Sequence, residues 1–419
     1  MISVSGVRGI VGQTMTPTVA AEMGAAFGSH LAGGKIVLGR DSRASGEMVQ
    51  EAVKSGLLAT GCNVVELGIV STPGVAMMIG ELSAQGGVVI TASHNPSQWN
   101  GIKFLTADGC APPPQVAEQI FSRYRNKDFR FAAAQGGGSL ERDLSTHGLH
   151  VSKVAAIVDV EAIRRRQFCV VLDSINGAGA AVGRMLLEHL GCKGIIINAE
   201  PTGDFFHPPE PTAENLTGLC RAVREHKADI GMAQDPDADR LAIVDNTGRY
   251  IGEEYTIALA AKFHFSKKPG PVAVNLSTSR MIDDLATQAG NGAIVHRTAV
   301  GEANVAAAVR AHGCILGGEG NGGVIDPRIT IVRDSFVGIG LILNLLAVDW
   351  RPLAAIVDDM PRYVMIKQKF EADRAAIKAW LERVRMSLEG SFNEEDGLRI
   401  DWPEGWVHIR PSNTEPIAR

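Results

Sequence analysis

Apolar residues fall into short unbroken runs, each closed by a polar turn. KIVLGRDSR at 35–43, GCNVVELG at 61–68 and GGVVITASHNP at 86–96 form one such set. Continuous β-branched runs of this kind read as strands buried on both faces, as in mainly parallel sheets. Stretches of helical length separate them. The same order returns as FCVVLDSINGAG at 168–179, GCKGIIIN at 191–198 and ADIGMAQDPDADR at 228–240. It returns again as PVAVNLSTSR at 271–280, NGAIVHRT at 291–298 and HGCILGGEGNGG at 312–323. Three copies of strand, helix, strand, helix, strand and loop predict three similar α/β domains. Ligands of such sheets bind beyond the carboxyl ends of the strands. The polar loop after each third strand is therefore the expected place for chemistry.

Beyond the third copy the pattern changes. Residues 360–363 read as a linker, followed by a charged amphipathic helix at 372–388 and a short strand, WVHIRP, at 406–411. This predicts a smaller C-terminal α+β domain. Expected boundaries are 1–148, 149–252, 253–360 and 361–419. The QGGG run at 135–138 reads equally as a flexible linker or as a surface loop of the first unit. The most apolar stretch, 337–348, is broken by Asn344 and is too short to span a bilayer.

Composition narrows the field of functions. With 419 residues, 45% hydrophobic and 21% charged, the chain is no disordered tail, coiled coil or collagen. Lys plus Arg number 41 against 46 acidic residues, a net charge of −5, so nothing points to nucleic acid or an anionic membrane. Any anion must be handled at a local site. The six scattered cysteines form no C-x-x-C pair and read as buried free thiols of a reducing, cytoplasmic compartment. The start, MISVSGVRGI, carries no evident signal peptide.

Four loops can carry chemistry. TASHNP at 91–96 presents Ser93 in a tight turn, although Ser, Asn and Pro are also plain turn formers. No G-x-S-x-G elbow surrounds it. DPDADR at 235–240 sets Asp235, Asp237 and Asp239 at alternate positions, expected on one side of an extended segment. Such a density of hard oxygen ligands favours Mg²⁺, while Arg240 and Asn246 stand where an EF-hand needs Gly and Glu. GEGNGG at 318–323 offers one carboxylate, Glu319, suited to vicinal sugar hydroxyls, or is simply a glycine-rich turn. RPSNTE at 410–415 gathers Arg410, Ser412, Asn413 and Thr414 into a phosphate cradle or an exposed polar loop. Arg8 in SGVRG and Lys103 in NGIK add cations; Lys103 suits a phosphate charge, an acid/base group or a solvent-facing turn. His94 can simply cap its turn.

Taken together, SGVRG, TASHNP, NGIK, DPDADR, GEGNGG and RPSNTEP resemble, in order and over essentially the whole chain, the α-D-phosphohexomutase family. Its members include phosphoglucomutase, phosphomannomutase and phosphoglucosamine mutase. The resemblance implies three similar α/β domains and a different C-terminal domain around one central cleft. It implies Ser93 as the phosphorylated serine, with Asp235, Asp237 and Asp239 holding Mg²⁺ together with a phosphoserine oxygen. Arg8 and Arg240 would lie by the transferring phosphate, and His94 and Lys103 near the reacting oxygens. Glu319, with Asn321 in the same loop, would contact the sugar; Arg410, Ser412, Asn413 and Thr414 would hold the phosphate not being transferred. The expected partner is a hexose phosphate, with a hexose 1,6-bisphosphate as intermediate and activator, and monomer and dimer are equally compatible.

Two features depart from the pattern. Asn321-Gly-Gly323 replaces the Ser-Gly-His or Ser-Phe-Gly tails of better-known sugar loops. Ser412-Asn413 is similar to the glucose/mannose mutases, whereas Val300-Gly-Glu302 is closer to the glucosamine and archaeal-type enzymes. The expectation is a glucose/mannose mutase, with phosphoglucosamine mutase as the alternative. A Mg²⁺-dependent phosphatase and a non-catalytic sugar-phosphate binder are more distant. Relatives of this kind continue by about one strand and one helix more, so the last domain is expected to be shortened.

Overall fold

The computed structural model describes residues 2–3, 6–290, 292–372, 374–411 and 417–419. The first sheet has seven strands: β1 (Ile2–Ser3), β2 (Gly6–Ile10), β3 (Gly34–Arg40), β4 (Cys62–Ile69), β5 (Gly86–Ile90), β6 (Trp99–Thr106) and β7 (Leu140–Arg142). They lie in the order β1-β2-β6-β5-β3-β4-β7. The second sheet holds β8 (Cys169–Asp173), β9 (Lys193–Ile197), β10 (Ile230–Gln234) and β11 (Leu241–Asp245), ordered β11-β10-β8-β9. The third holds β12 (Pro271–Asn275), β13 (Ile294–Thr298), β14 (Leu316–Glu319) and β15 (Gly323–Ile325), ordered β13-β12-β14-β15.

Each sheet repeats one arrangement. The first two strands of the copy pair in parallel, and the third lies parallel to the first on its other side. A tight loop then turns into an antiparallel return strand: β6, β11 or β15. The serine, aspartate and glutamate loops are these three equivalent turns. β5 and β10 are buried throughout, as their unbroken apolar runs require.

The glycine run at 135–138 is a loop of the first unit. Gly138 N donates to Leu58 O (3.0 Å), and a Cβ on Gly138 would fall 1.7 Å from Cys62 O. β7 follows directly and pairs with β4. The boundary expected at 148 falls inside a helix, Thr146–Ala156. The second and third sheets share one apolar core, built largely by the helices Glu254–Lys267 and Ser335–Asp349. The apolar stretch at 337–348 is thus an interior helix. No helix among the described residues is long and apolar enough to cross a membrane. Four cysteines are buried and two partly so, all as free thiols.

The smaller C-terminal domain contains β16 (Phe370–Glu371), β17 (Ser391–Asn393), β18 (Leu398–Trp402), β19 (Gly405–Ile409) and β20 (Ile417–Ala418), with the helix Arg374–Ser387. Strands β17, β18 and β19 form an antiparallel sheet. It docks on the third unit: Val300 N donates to Asp396 Oδ2 (3.0 Å), and His408 Nδ1 lies 2.8 Å from Ser277 Oγ. The segment after Met360 is tied down as well, by Tyr363 Oη donating to Asp284 Oδ2 (2.6 Å).

Candidate active site

Ser93 stands two residues beyond the loop's entry at Thr91, 1% exposed and in the left-handed region at φ 51°. That conformation is costly for a residue with a Cβ. It is imposed from outside the turn. Thr91 Oγ1 accepts from Ser93 N (2.9 Å) and donates to Asp41 Oδ2 (2.6 Å). Arg43, paired with Asp41, donates to the carbonyls of Ser93 (2.6 Å), Asn95 (2.7 Å), Pro96 (2.9 Å) and Trp99 (3.0 Å). Ser93 Oγ donates to Asp235 Oδ2 at 3.0 Å and lies 3.3 Å from His94 Nδ1. Arg8 Nη1 reaches Asn95 Oδ1 at 2.8 Å.

The aspartate loop is a tight turn and not the extended segment expected, because Ala238 takes φ 54°. The three carboxylates converge all the same, with ligand atoms of Asp235, Asp237 and Asp239 within 4.8 Å of one another. Asp235 Oδ1 accepts from the amides of Asp239 and Arg240 (both 3.1 Å), which closes the turn. Asp237 Oδ2 accepts from Thr72 Oγ1 and Lys103 Nζ, each at 2.6 Å. Thr72 opens the helix Thr72–Glu81, which Ser71 caps, and its amide also donates to Asp237 O (3.0 Å). Lys103 Nζ lies 3.4 Å from Asp239 Oδ2, and Arg240 Nε 3.8 Å from Asp239 Oδ1.

Electrostatics divide the three carboxyls. Burial, with Asp239 and Asp237 beside it, pushes Asp235 well above the ordinary carboxylate range. Burial would raise Asp237 too, but the Lys103 ammonium and the Thr72 hydroxyl bring it below that range. Asp239 is likewise held down against burial, chiefly by Arg333. Lys103 would be lowered by burial alone; Asp237 and Asp239 keep it above its ordinary value. Asp237 Oδ1 and Asp239 Oδ1 are buried with no hydrogen-bond partner among the described residues. Two orphaned hard oxygens beside Asp235 fit a divalent cation such as Mg²⁺.

At the end of β14, Glu319 Oε1 accepts from Asn275 Nδ2 (2.7 Å) and Gly301 N (3.3 Å). Its Oε2 accepts from Arg333 Nη1 (2.8 Å) and Asn321 Nδ2 (3.4 Å). The glycines around it serve packing and do not leave open space. A Cβ would fall 2.1 Å from the Glu254 carboxylate at Gly320, 2.5 Å from Leu241 O at Gly322 and 2.1 Å from Arg333 Cδ at Gly323. Arg410 stands apart on the C-terminal domain, just past β19, bonded to Arg419 by two backbone hydrogen bonds (3.0 and 2.9 Å). Burial lowers its guanidinium, opposed by Asp396 and, more weakly, Glu319. Ser412, Asn413 and Thr414 lie outside the described residues.

The fold therefore gathers Ser93, His94, Lys103, Arg8, Arg240 and the three aspartates at the meeting of the first two sheets. Glu319 joins them through Arg333. Sequence reading missed Arg333, Arg43, Asp41, Thr72 and Asn275. Only Asp41 and Arg43 left a signal, in the polar turn ending the first KIVLGRDSR run.

Comparison with known proteins agrees with this architecture. The three α/β/α domain models of phosphoglucomutase/phosphomannomutase match residues 2–131 (domain I), 149–248 (domain II) and 252–363 (domain III). A phosphoglucomutase/phosphomannomutase of Thermococcus kodakarensis is 39% identical over 99% of this chain and 92% of its own. A protein of Methanopyrus kandleri named "Probable phosphoglucosamine mutase" is 37% identical over the same shares. A crystal structure of a phosphoglucomutase/phosphomannomutase family protein from Burkholderia thailandensis superposes with a TM-score of 0.88 at 27% identity, covering 100% of this chain and 93% of that one. With serine, aspartate and glutamate loops at equivalent turns of three matching domains, the chain belongs to the α-D-phosphohexomutases, isomerases that act as intramolecular phosphotransferases.

Proposed function

We propose that the chain interconverts a hexose 1-phosphate and the 6-phosphate, of the glucose/mannose type, through phospho-Ser93 and a bound hexose 1,6-bisphosphate. One observation carries this reading. Ser93 Oγ, held in a strained turn, lies 3.0 Å from one of three buried carboxylates whose neighbours carry orphaned oxygens. Held by Asp235, Asp237 and Asp239, Mg²⁺ would offset the charge of the phosphoserine.

The chain's own groups do the rest. The Oγ–P bond of phospho-Ser93 breaks as the 6-hydroxyl of hexose 1-phosphate forms a new O–P bond, and the hydroxyl proton ends on Oγ. His94 Nδ1, 3.3 Å from Oγ, lies beside the reacting oxygens. Arg240, burial and Arg8 push its imidazole down to about 2, so it is neutral. Lys103, Arg8 and Arg240 supply positive charge around the transferring group, which is most of what phosphoryl transfer asks of a protein. The bisphosphate then turns over and returns its other phosphate to Ser93. Arg410, with Ser412, Asn413 and Thr414, holds the phosphate that is not moving. Glu319 and Asn321 accept the sugar in both orientations.

The test is a coupled assay with glucose, mannose and glucosamine 1-phosphates, Mg²⁺ and a trace of bisphosphate. Turnover of the glucose and mannose substrates is expected. Ser93→Ala is expected to lose activity by about a thousandfold or more while still binding sugar phosphate. Wild-type turnover by that variant removes the nucleophile assignment, and free phosphate as the main product replaces the mutase with a phosphatase. The relatives named as phosphoglucosamine mutases favour a second reading, which preference for glucosamine 1-phosphate in the same assay establishes.

A further inference from the structure

Arg333 follows the hairpin that carries Glu319, and its side chain is 11% exposed. One guanidinium meets three carboxylates at 2.8 Å each. Nε donates to Glu302 Oε2, Nη1 to Glu319 Oε2 and Nη2 to Asp239 Oδ2. The Arg333 amide also donates to Glu302 Oε2 (3.2 Å), which fixes the base of the side chain. The stem fills the space above Gly323, where any Cβ would meet it. Asp239 belongs to the second sheet's loop and Glu319 to the third's. A planar fork with fixed donor directions therefore joins the two loops.

We propose that Arg333 is a positioning residue that ties the cation loop to the sugar loop, with opposite effects on the two ligands. It rests on the reading of Asp239 as a cation ligand and Glu319 as the sugar contact. Towards the sugar, Arg333 is constructive. It fixes Glu319 Oε2, so an entering sugar displaces only the long hydrogen bonds from Asn321 (3.4 Å) and Gly301 (3.3 Å). Towards the cation, it is a competitor. Its charge occupies Asp239 Oδ2 and repels a second positive ion across a few ångströms of protein interior. It leaves Asp239 Oδ1 as the carboxylate oxygen available to the loop.

The two signs give a test that loss of structure does not imitate. Mg²⁺ alone and glucose 6-phosphate alone are titrated calorimetrically into the full chain as wild type, Arg333→Met and Arg333→Lys, with thermal melting of each. Arg333→Met is expected to bind Mg²⁺ about fivefold more tightly and glucose 6-phosphate about tenfold more weakly. Arg333→Lys keeps the charge and loses the fork, so its Mg²⁺ affinity stays near wild type while sugar-phosphate binding remains weakened. Unchanged affinities in Arg333→Met overturn the proposal. So does Arg333→Lys matching wild type for the sugar phosphate, or losing affinity for both ligands in parallel at an unchanged melting temperature. A wild-type chain that binds neither ligand overturns the site reading itself, and this proposal with it.

Discussion

The serine turn shows how one residue shapes another fifty positions away. Ser93 holds a left-handed conformation that costs about 1–3 kcal/mol at a residue other than glycine. Arg43 offsets that cost with hydrogen bonds to three carbonyls of the turn and a fourth at the start of β6, while the Phe205 ring lies 4.9 Å from its guanidinium. Lysine at 43 keeps the charge but cannot serve four acceptors at once. Arg43→Lys is expected to lower kcat by about a hundredfold with KM nearly unchanged. It is also expected to destabilise the fold by about 2–4 kcal/mol, since buried carbonyls lose their donors. Steady-state kinetics and chemical denaturation read both; wild-type kcat would remove Arg43 from the account of the turn. The same case marks the limit of the sequence. Ser93, the three aspartates and Glu319 were legible as candidates because each sits in a short polar loop after a buried strand, although the serine and glutamate loops taken alone also read as plain turns. Arg43 showed only as part of a polar turn, and Thr72 and Arg333 not at all, because the partners of the three lie 50, 165 and 94 residues away and only the fold brings them together.

Among elements, the three strand-helix-strand copies were legible because buried parallel strands leave unbroken apolar runs. The return strands β6, β11 and β15 were not singled out, since each follows its loop so closely that sequence and turn read as one segment. The helix Ser335–Asp349 was visible only as an apolar stretch. The structure explains its composition: it is apolar nearly all round because it is packed between the second and third sheets. Asp334 caps its start through Phe336 N (2.8 Å), and Asn344 Oδ1 accepts from Asp159 N (2.9 Å). A helix shared in this way couples two domains thermodynamically. Ile342→Ala, at a fully buried position, is expected to cost about 2–5 kcal/mol. Calorimetry of this variant should show the second and third domains still melting together at a lower temperature. Separate transitions for them would mean that the shared core does not couple their unfolding.

At the scale of the whole molecule, the site depends on four bodies keeping their places, and the C-terminal domain is held by polar contacts. In the proposed function, Arg410 serves the site only if that domain stays docked on the third unit. His408 sits at the join, with Nε2 2.7 Å from Asp396 O and Nδ1 2.8 Å from Ser277 Oγ. A carbonyl only accepts, so Nε2 carries the proton and Nδ1 accepts from the serine hydroxyl. Burial lowers the imidazole below its ordinary 6.5; Asp396 pulls the other way, while Arg410 and Arg399 add to the lowering. The docked state therefore favours neutral His408, and the undocked state binds more protons below pH 6.5. Docking should be fully present above that pH and weaken as the pH falls below it. The expected outcome is a loss of protection against hydrogen exchange in 398–411, measured relative to the intrinsic exchange rate at each pH, on acidification from pH 7.5 to 5.5, with KM for the hexose phosphate rising in parallel. His408→Gln keeps a hydrogen-bonding side chain that does not titrate, so its protection should lose this dependence and its KM should rise less than that of the wild type. If the variant keeps the wild-type pH profile, the sensitivity comes from another group, and His408 is only a contact in the join.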